Sequence, residues 1–332
     1  MREFISPWGQ YLIQYIEYKK LCGYKSEQTE IIASLFDRYY HDLGINEALF
    51  TREVVEPFLF LRENEQLTNQ KIRVSMLRQF GKYLFDNDIL EDVYIIPIGY
   101  AKGNYEYIPY IYSHDELVRI IEYLDNLQMY KSFLGVDAKP NTYNCVRTAI
   151  KILITTGMRR GEVLQLKRNE VDLDNQVFVI HFAKNNNQRL VPYSDSLKQV
   201  LIDYLENTPY QIDKDECFLS PEKGGSVNHS LITYYFYRCL KHIGIKHEKG
   251  KGPRIHDFRH TYATMALAKL QRECDNVNLS LSYLSAYLGH KSIRETQKYV
   301  WLTPGLFEDT KAKMTDYSSF IATIFQGENY YD

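Results

Sequence analysis

Four short segments carry side chains whose types and spacing could act on an anionic centre. TGMRRGEVL places Arg159 just beyond Gly157 at the start of a helix, with Arg160 as its solvated neighbour. HDFRH sets His256 and Arg259 three residues apart, on one face if the segment is helical. Because both groups donate hydrogen bonds, the pair suits a phosphate oxygen. His260, four residues beyond His256, also permits a zinc hydrolase reading, although a glutamate in the HExxH position and an obvious third ligand are absent. Lys184 stands at the tip of a hairpin read from HFAKNNNQRLVPY, from which a lysine can reach into a groove and give up a proton. YLGHKSIRETQKYV contains His290 followed nine residues later by Tyr299, one of 29 tyrosines. Taken singly, each feature has an ordinary structural reading: a turn arginine, a core histidine, a solubilising lysine, one tyrosine among many.

In combination and in order, TGMRRGE, AKNNNQRLVPY, HDFRHTYAT and YLGHKSIRETQKYV resemble the catalytic signature of the tyrosine recombinase (phage integrase) family, across roughly residues 113–303. By motif, the resemblance implies that Arg159, Lys184, His256, Arg259 and His290 are catalytic and that Tyr299 is the nucleophile. Glu162 takes the place of a supporting acidic residue. Val300 and Trp301 depart from the frequent Tyr-x-His ending, which blurs the subfamily but not the chemistry.

That residue set suits phosphoryl transfer on physical grounds. A phosphodiester repels nucleophiles, and its transition state concentrates charge on the non-bridging oxygens, so catalysis is largely positioning and electrostatic stabilisation. Two arginines present planar forks to those oxygens, a role lysine fills less well. A tyrosine hydroxyl titrates near 10 and is a weak nucleophile at neutral pH, so surrounding cations are expected to favour its phenolate. The expected products are a 3′-phosphotyrosine and a free 5′-hydroxyl, with Lys184 as general acid for the leaving oxygen. No cofactor and no metal is expected.

These groups must be positioned by a fold that the pattern describes as mainly α with a small β-sheet (α+β). Residues 1–100 read as four helices, a bundle that the resemblance equates with a core-binding (SAM-like) DNA-binding domain. Pro57 either kinks the third helix or marks a later start. Residues 101–112 lie in a Pro- and Gly-containing stretch without helical period and read as a linker. Ser113 and Glu116 form a capping-box signature that opens the catalytic domain, 113–332, with a tail helix at 305–332. VFVIHFAK and QRLVPY read as a hairpin. By resemblance the two domains form a C-shaped clamp on DNA, without a further N-terminal arm-binding domain.

Apolar residues at 45% and charged residues at 25% are the balance of a soluble globular protein, and 332 residues are comfortable for two domains. Five scattered cysteines without a CxxC pair point to reduced thiols. With neither a signal-peptide pattern nor a membrane span, the expected location is the cytoplasm, on the nucleoid of a prokaryote. The net charge of −2 is low for a DNA-binding protein, but its distribution is uneven. Residues 1–100 carry 11 basic and 15 acidic side chains, whereas Arg238 to Val300 carry 12 basic and 5 acidic. Lys249, Lys251, Arg254 and Lys291 in that basic stretch, with Lys71, Arg73 and Arg78 on the fourth helix, are the candidate DNA contacts. The expected partner is double-stranded DNA carrying recombination sites, bound by a homo-tetramer, with accessory DNA-bending or directionality proteins and no membrane. Integration or excision of a mobile element is the leading role. A type IB topoisomerase-like activity and a catalytically silent DNA-binding accessory protein are the alternatives.

Overall fold

Apolar spacing in the first hundred residues produces four helices, α1 (Gly9–Leu21), α2 (Glu27–Asp42), α3 (Arg52–Leu59) and α4 (Leu67–Asp86). In this computed structural model they form one unit, Met1–Glu106, and the remainder forms a second, Tyr107–Asp332. The structure describes residues 3–24, 26–101, 107–127, 141–181, 188–246, 252–273, 276–290 and 292–301. The expected tail helix at 305–332 lies outside the described residues.

An aromatic knot holds the first unit together. The fully buried Trp8 ring lies 5.5 Å from Phe80, 5.6 Å from Phe50 and 5.9 Å from Tyr40, all edge-on. Edge-to-face pairs of this kind contribute about 0.5–1.5 kcal/mol each beyond area burial. α3 begins at Arg52 and runs through Pro57, so the proline does not delay the helix. The stretch after α4 is less free than its composition suggests. Val93 pairs with Phe50, the Tyr94 N–H donates to the Phe50 carbonyl at 2.8 Å, and Ile96 is buried.

The second unit also begins before position 113. Tyr107 donates to Asp257 at 2.5 Å, and the Tyr112 N–H donates to Thr261 Oγ1 at 3.0 Å. The Tyr112 ring stacks on Phe258 with centroids 4.8 Å apart. Residues 107–112 are therefore packed within the second unit, and the division between the units falls inside the stretch 101–112 read as a linker.

Ser113 caps α5 (His114–Asp125) through the expected reciprocal bonds with Glu116. α6 (Thr142–Thr156) is the central helix of this unit, burying Cys145, Val146, Ala149, Ile150, Ile152 and Leu153. α7 (Arg160–Gln165) leads into an antiparallel sheet of β1 (Val171–Asp172), β2 (Val177–His181) and β3 (Gln188–Pro192), in the order β1-β2-β3. His181 pairs with Gln188 at the closing end of the hairpin. α8 (Asp195–Glu206) and α9 (His229–His242) complete the main core. α10 (Asp257–Glu273), α11 (Val277–Leu288) and α12 (Arg294–Trp301) enclose a second cluster of Ala263, Leu267, Leu281, Leu284, Leu288 and Tyr299. This mainly helical architecture with one small sheet is the fold class read from the sequence.

Candidate active site

Two helix ends create the site. α6 stops at Gly157 in a left-handed conformation (φ +61°), and α11 stops at Gly289 likewise (φ +65°). Both stops leave carbonyls without helical partners, and arginines take them. Arg259 Nη1 donates to the Gly157 carbonyl at 3.0 Å and its Nη2 to the Leu288 carbonyl at 2.7 Å. Arg159 Nη2 donates to the next carbonyl along, Gly289, at 3.1 Å. The two guanidinium groups are thus anchored on consecutive carbonyls at the C-terminal end of α11, where the helix dipole favours cations. Arg259 is buried and Arg159 remains 37% exposed, so the fork of Arg159 is open on one side.

Glu162, in the first turn of α7, supports Arg159 from beneath. It accepts from the Arg159 backbone N–H at 2.8 Å and from Arg159 Nη1 at 3.0 Å. Arg189 of β3 grips the same carboxylate with both Nη atoms, at 3.0 and 2.8 Å. Burial alone would raise the Glu162 carboxyl, but Arg189 and Arg159 outweigh it and hold the group below its ordinary range.

Tyr299 on α12 is buried among the same groups. Its ring lies 5.6 Å from His260 and stacks 6.1 Å from His290, while Lys298 Nζ is 5.3 Å from its centroid. Burial raises its phenol, and the opposing pull of Arg259 and Arg159 does not restore the ordinary value. The surrounding cations pull towards the phenolate as expected, and desolvation outweighs them. The histidines shift the other way. Removal from bulk water, then Arg259 and other cations, hold His290 at about 3 and His256 at about 4. His260 lies at about 3 through burial and the neighbouring His256. All three imidazoles are therefore neutral near pH 7. His290 Nδ1 is 2.7 Å from Thr296 Oγ1, which fixes the ring and leaves Nε2 as its other polar atom.

The structure brings Arg159, Glu162, His256, Arg259, His290 and Tyr299 into one neighbourhood. Lys184, Lys249, Lys251 and Lys291 lie outside the described residues. Arg73 is corrected as a candidate DNA contact. It is buried, pairs with Glu65 and donates to the Phe58 and Phe60 carbonyls, the last at 3.1 Å. Arg78 donates to the Ile96 and Pro97 carbonyls at 2.8 and 2.6 Å, and so ties α4 to the chain that follows it. Lys71 is half-buried on α4. Arg254 stacks on Tyr107, 3.1 Å from its centroid, and faces Asp257 at 3.5 Å. Arg160, read as solvated, instead donates to Thr233 Oγ1 at 3.0 Å.

Sequence reasoning missed Arg189, Thr296, Lys298 and Asp257. Strand alternation in QRLVPY could have drawn notice to Arg189, but nothing in the spacing points to Thr296. No group of three or more His, Cys, Asp or Glu placed to hold a metal ion occurs among the described residues, so His256 and His260 gain no third ligand there. Among the described residues no helix is long and apolar enough to cross a membrane.

Comparison with known proteins bears on the family and the fold. The phage integrase family profile matches residues 112–304. The protein y4rB of Sinorhizobium fredii (strain NBRC 101917 / NGR234), which is named among the integrase/recombinases, is 27% identical over 319 residues, covering 93% of this chain and 98% of that protein. The tyrosine recombinase XerC of Rickettsia canadensis (strain McKiel) is 22% identical over 306 residues, covering 90% of this chain and 92% of its own. Among solved structures, the Tn1549 transposon integrase in complex with transposon right end DNA superposes with a TM-score of 0.63 at 15% identity, covering 93% of this chain and 99% of that one. The XerH site-specific recombinase bound to palindromic difH substrate gives 0.62 at 18% identity, covering 94% and 98%. With the family profile spanning more than half of the sequence, the chain belongs to the phage integrase family and is a tyrosine recombinase.

Proposed function

We propose that this recombinase cleaves and rejoins double-stranded DNA at specific sites through a 3′-phosphotyrosine on Tyr299, and that it integrates or excises a mobile genetic element. The observation that carries the chemistry is the pair of guanidinium groups on consecutive carbonyls beside Tyr299, with His256 and His290 at the same place. A phosphodiester seated there meets Arg159 and Arg259 through its non-bridging oxygens. It also brings a negative charge that favours protonation of the two histidines. Attack by the Tyr299 oxygen forms the phosphotyrosyl bond and breaks the bond to the 5′-oxygen. That oxygen takes its proton from Lys184, the general acid in this reading. Because the phosphotyrosyl bond retains the energy of the phosphodiester, an incoming 5′-hydroxyl reseals the strand without a nucleotide cofactor. Two strand exchanges require four active sites, hence a homo-tetramer on two DNA sites. Accessory proteins would set direction. The likeness to y4rB and to the transposon integrase supports the mobile-element role.

The test is a nicked suicide DNA substrate incubated in chelator, its sequence selected from a random library or taken from DNA flanking the gene. A covalent adduct mapped to Tyr299 is expected. Tyr299→Phe should abolish the adduct while leaving DNA binding within a few fold; adducts persisting in that variant would reject this nucleophile. Specific binding by the unaltered chain without any adduct would favour an accessory DNA-binding role.

A further inference from the structure

His256 lies inside a turn, 254–257, that is closed from both ends. The Asp257 backbone N–H donates to the Arg254 carbonyl at 2.9 Å, and the Arg254 N–H donates back to Asp257 Oδ2 at 2.7 Å. This reciprocal pair resembles a capping box and fixes the chain on either side of His256. α10 starts at the end of the turn, where the Arg259 N–H donates to the His256 carbonyl at 3.1 Å.

The Asp257 carboxylate is fully buried and is held from two further directions. The Tyr107 hydroxyl donates to the same Oδ2 at 2.5 Å. Oδ1 makes no hydrogen bond among the described residues and faces the Arg254 guanidinium at 3.5 Å. That guanidinium lies 3.1 Å from the centroid of the Tyr107 ring. Glycine at 252 leaves room for the phenol, since a Cβ there would overlap the Tyr107 hydroxyl. Burial, then the Asp257 charge, pushes the Tyr107 phenol up to about 12, which keeps it a donor at neutral pH. Taking a carboxylate out of water seldom adds net stability. What the arrangement secures is geometry, and the residue at its centre is His256. His290 is oriented through Thr296. Among the described residues no hydrogen bond holds the His256 imidazole, which stands edge-on to His260 at 5.0 Å, so the backbone that carries it sets its direction.

We propose that Tyr107 and Asp257 are positioning residues for His256: they lock the turn 254–257 so that the imidazole meets the same phosphate as Arg259. This rests on the proposed contact between His256 and the scissile phosphate, and experiment separates the two ideas.

Single-turnover cleavage of the suicide substrate by excess protein reads both a rate and an endpoint. Tyr107→Phe deletes the hydroxyl and keeps the ring beneath Arg254. It is expected to slow cleavage by roughly 5- to 30-fold, within the ~10²-fold that a small misplacement near reacting atoms can cost, with the endpoint kept and DNA affinity within about threefold. Asp257→Asn, which removes the charge that Arg254 and the phenol share, should slow it further. In a His256→Ala background Tyr107→Phe should change the rate by less than about twofold, because residues that act as one unit are not additive. A merely structural role would lower the endpoint, or slow both backgrounds by the same factor. Either result for Tyr107→Phe, or an unchanged rate in the otherwise unaltered protein, would overturn the proposal, and this variant carries the test alone if Asp257→Asn does not fold. Failure of the underlying reading looks different: His256→Ala would then cleave at the parental rate, and the proposal would fall with it.

Discussion

At the scale of single residues, charge and burial act against each other throughout the site, and the balance differs from group to group. For Glu162 the two arginines prevail; for Tyr299 burial does. Arg259 shows how deeply one cation of the candidate site is built into the fold. It is buried, its guanidinium holds two helix ends together, and burial with the nearby Arg159 lowers its titration to about 10, still charged at pH 7. Thr296 has a subtler part. It is fully buried, and its hydroxyl meets His290 Nδ1 at 2.7 Å. Thr296→Val preserves shape and removes that bond. We expect adduct formation to slow by about tenfold or more, since a small misplacement near the reacting atoms can cost as much as ~10²-fold. Stability should fall by only about 1 kcal/mol, the typical net worth of one hydrogen bond. Suicide-substrate kinetics beside a denaturant titration would separate the two; equal rates in variant and parent would remove Thr296 from the orientation of His290.

At the scale of elements, the decisive features are the glycine stops of α6 and α11. Each turns the chain at the point where an arginine collects the freed carbonyl. Gly157 is constrained twice: its φ is +61°, and a Cβ there would come within 2.6 Å of the Tyr262 ring. Gly157→Ala should therefore cost about 1–2 kcal/mol for the left-handed backbone, with the clash in addition. It should also impair cleavage by moving a carbonyl that Arg259 holds. Gly161, four positions on and inside α7, has nothing within 4 Å of a would-be Cβ. Gly161→Ala should be neutral or stabilise by up to about 1 kcal/mol through helix propensity. Thermal melts of the pair check this contrast, and similar melting of the two variants would contradict it. Helix patterning was legible at this scale in the sequence, including the Ser113–Glu116 capping box. The stretch from Val93 to Tyr112 has no period, so its particular contacts to Phe50, Asp257, Phe258 and Thr261 could not be read from the sequence.

At the scale of the whole molecule, the buried histidines link stability to pH. His256, His260 and His290 titrate at about 4, 3 and 3 in the folded chain, against about 6.5 when unfolded. Between those values the unfolded chain binds more protons, so stability rises with pH in that window and is lost as pH falls from about 6.5 towards 3. Glu162, with its carboxyl held low, loses its contribution in the same direction at lower pH. The melting temperature of the DNA-free protein should accordingly decline on acidification below about 6.5, and His290→Gln should flatten the decline. A melting temperature independent of pH between 6.5 and 4.5 would show that these imidazoles are not held neutral.

The sequence by itself determined the family and the mainly helical class with one hairpin, and it supplied a short list of candidate reactive side chains. These follow from residue order and local periodicity, which need no knowledge of long-range contacts. Which of the arginines have guanidinium groups committed to structure was decided only in three dimensions. Arg73, within the fourth helix, and Arg159, at the start of a helix, are both candidate phosphate contacts in a one-dimensional reading, but one is committed to carbonyls inside the first unit and the other opens onto the site. The partners of Glu162 and His290 were likewise invisible, because Arg189 lies 27 residues from Glu162 and belongs to a strand. The protonation of Tyr299 was hidden for the same physical reason: desolvation depends on how completely three helices close around a ring, and no local pattern encodes that.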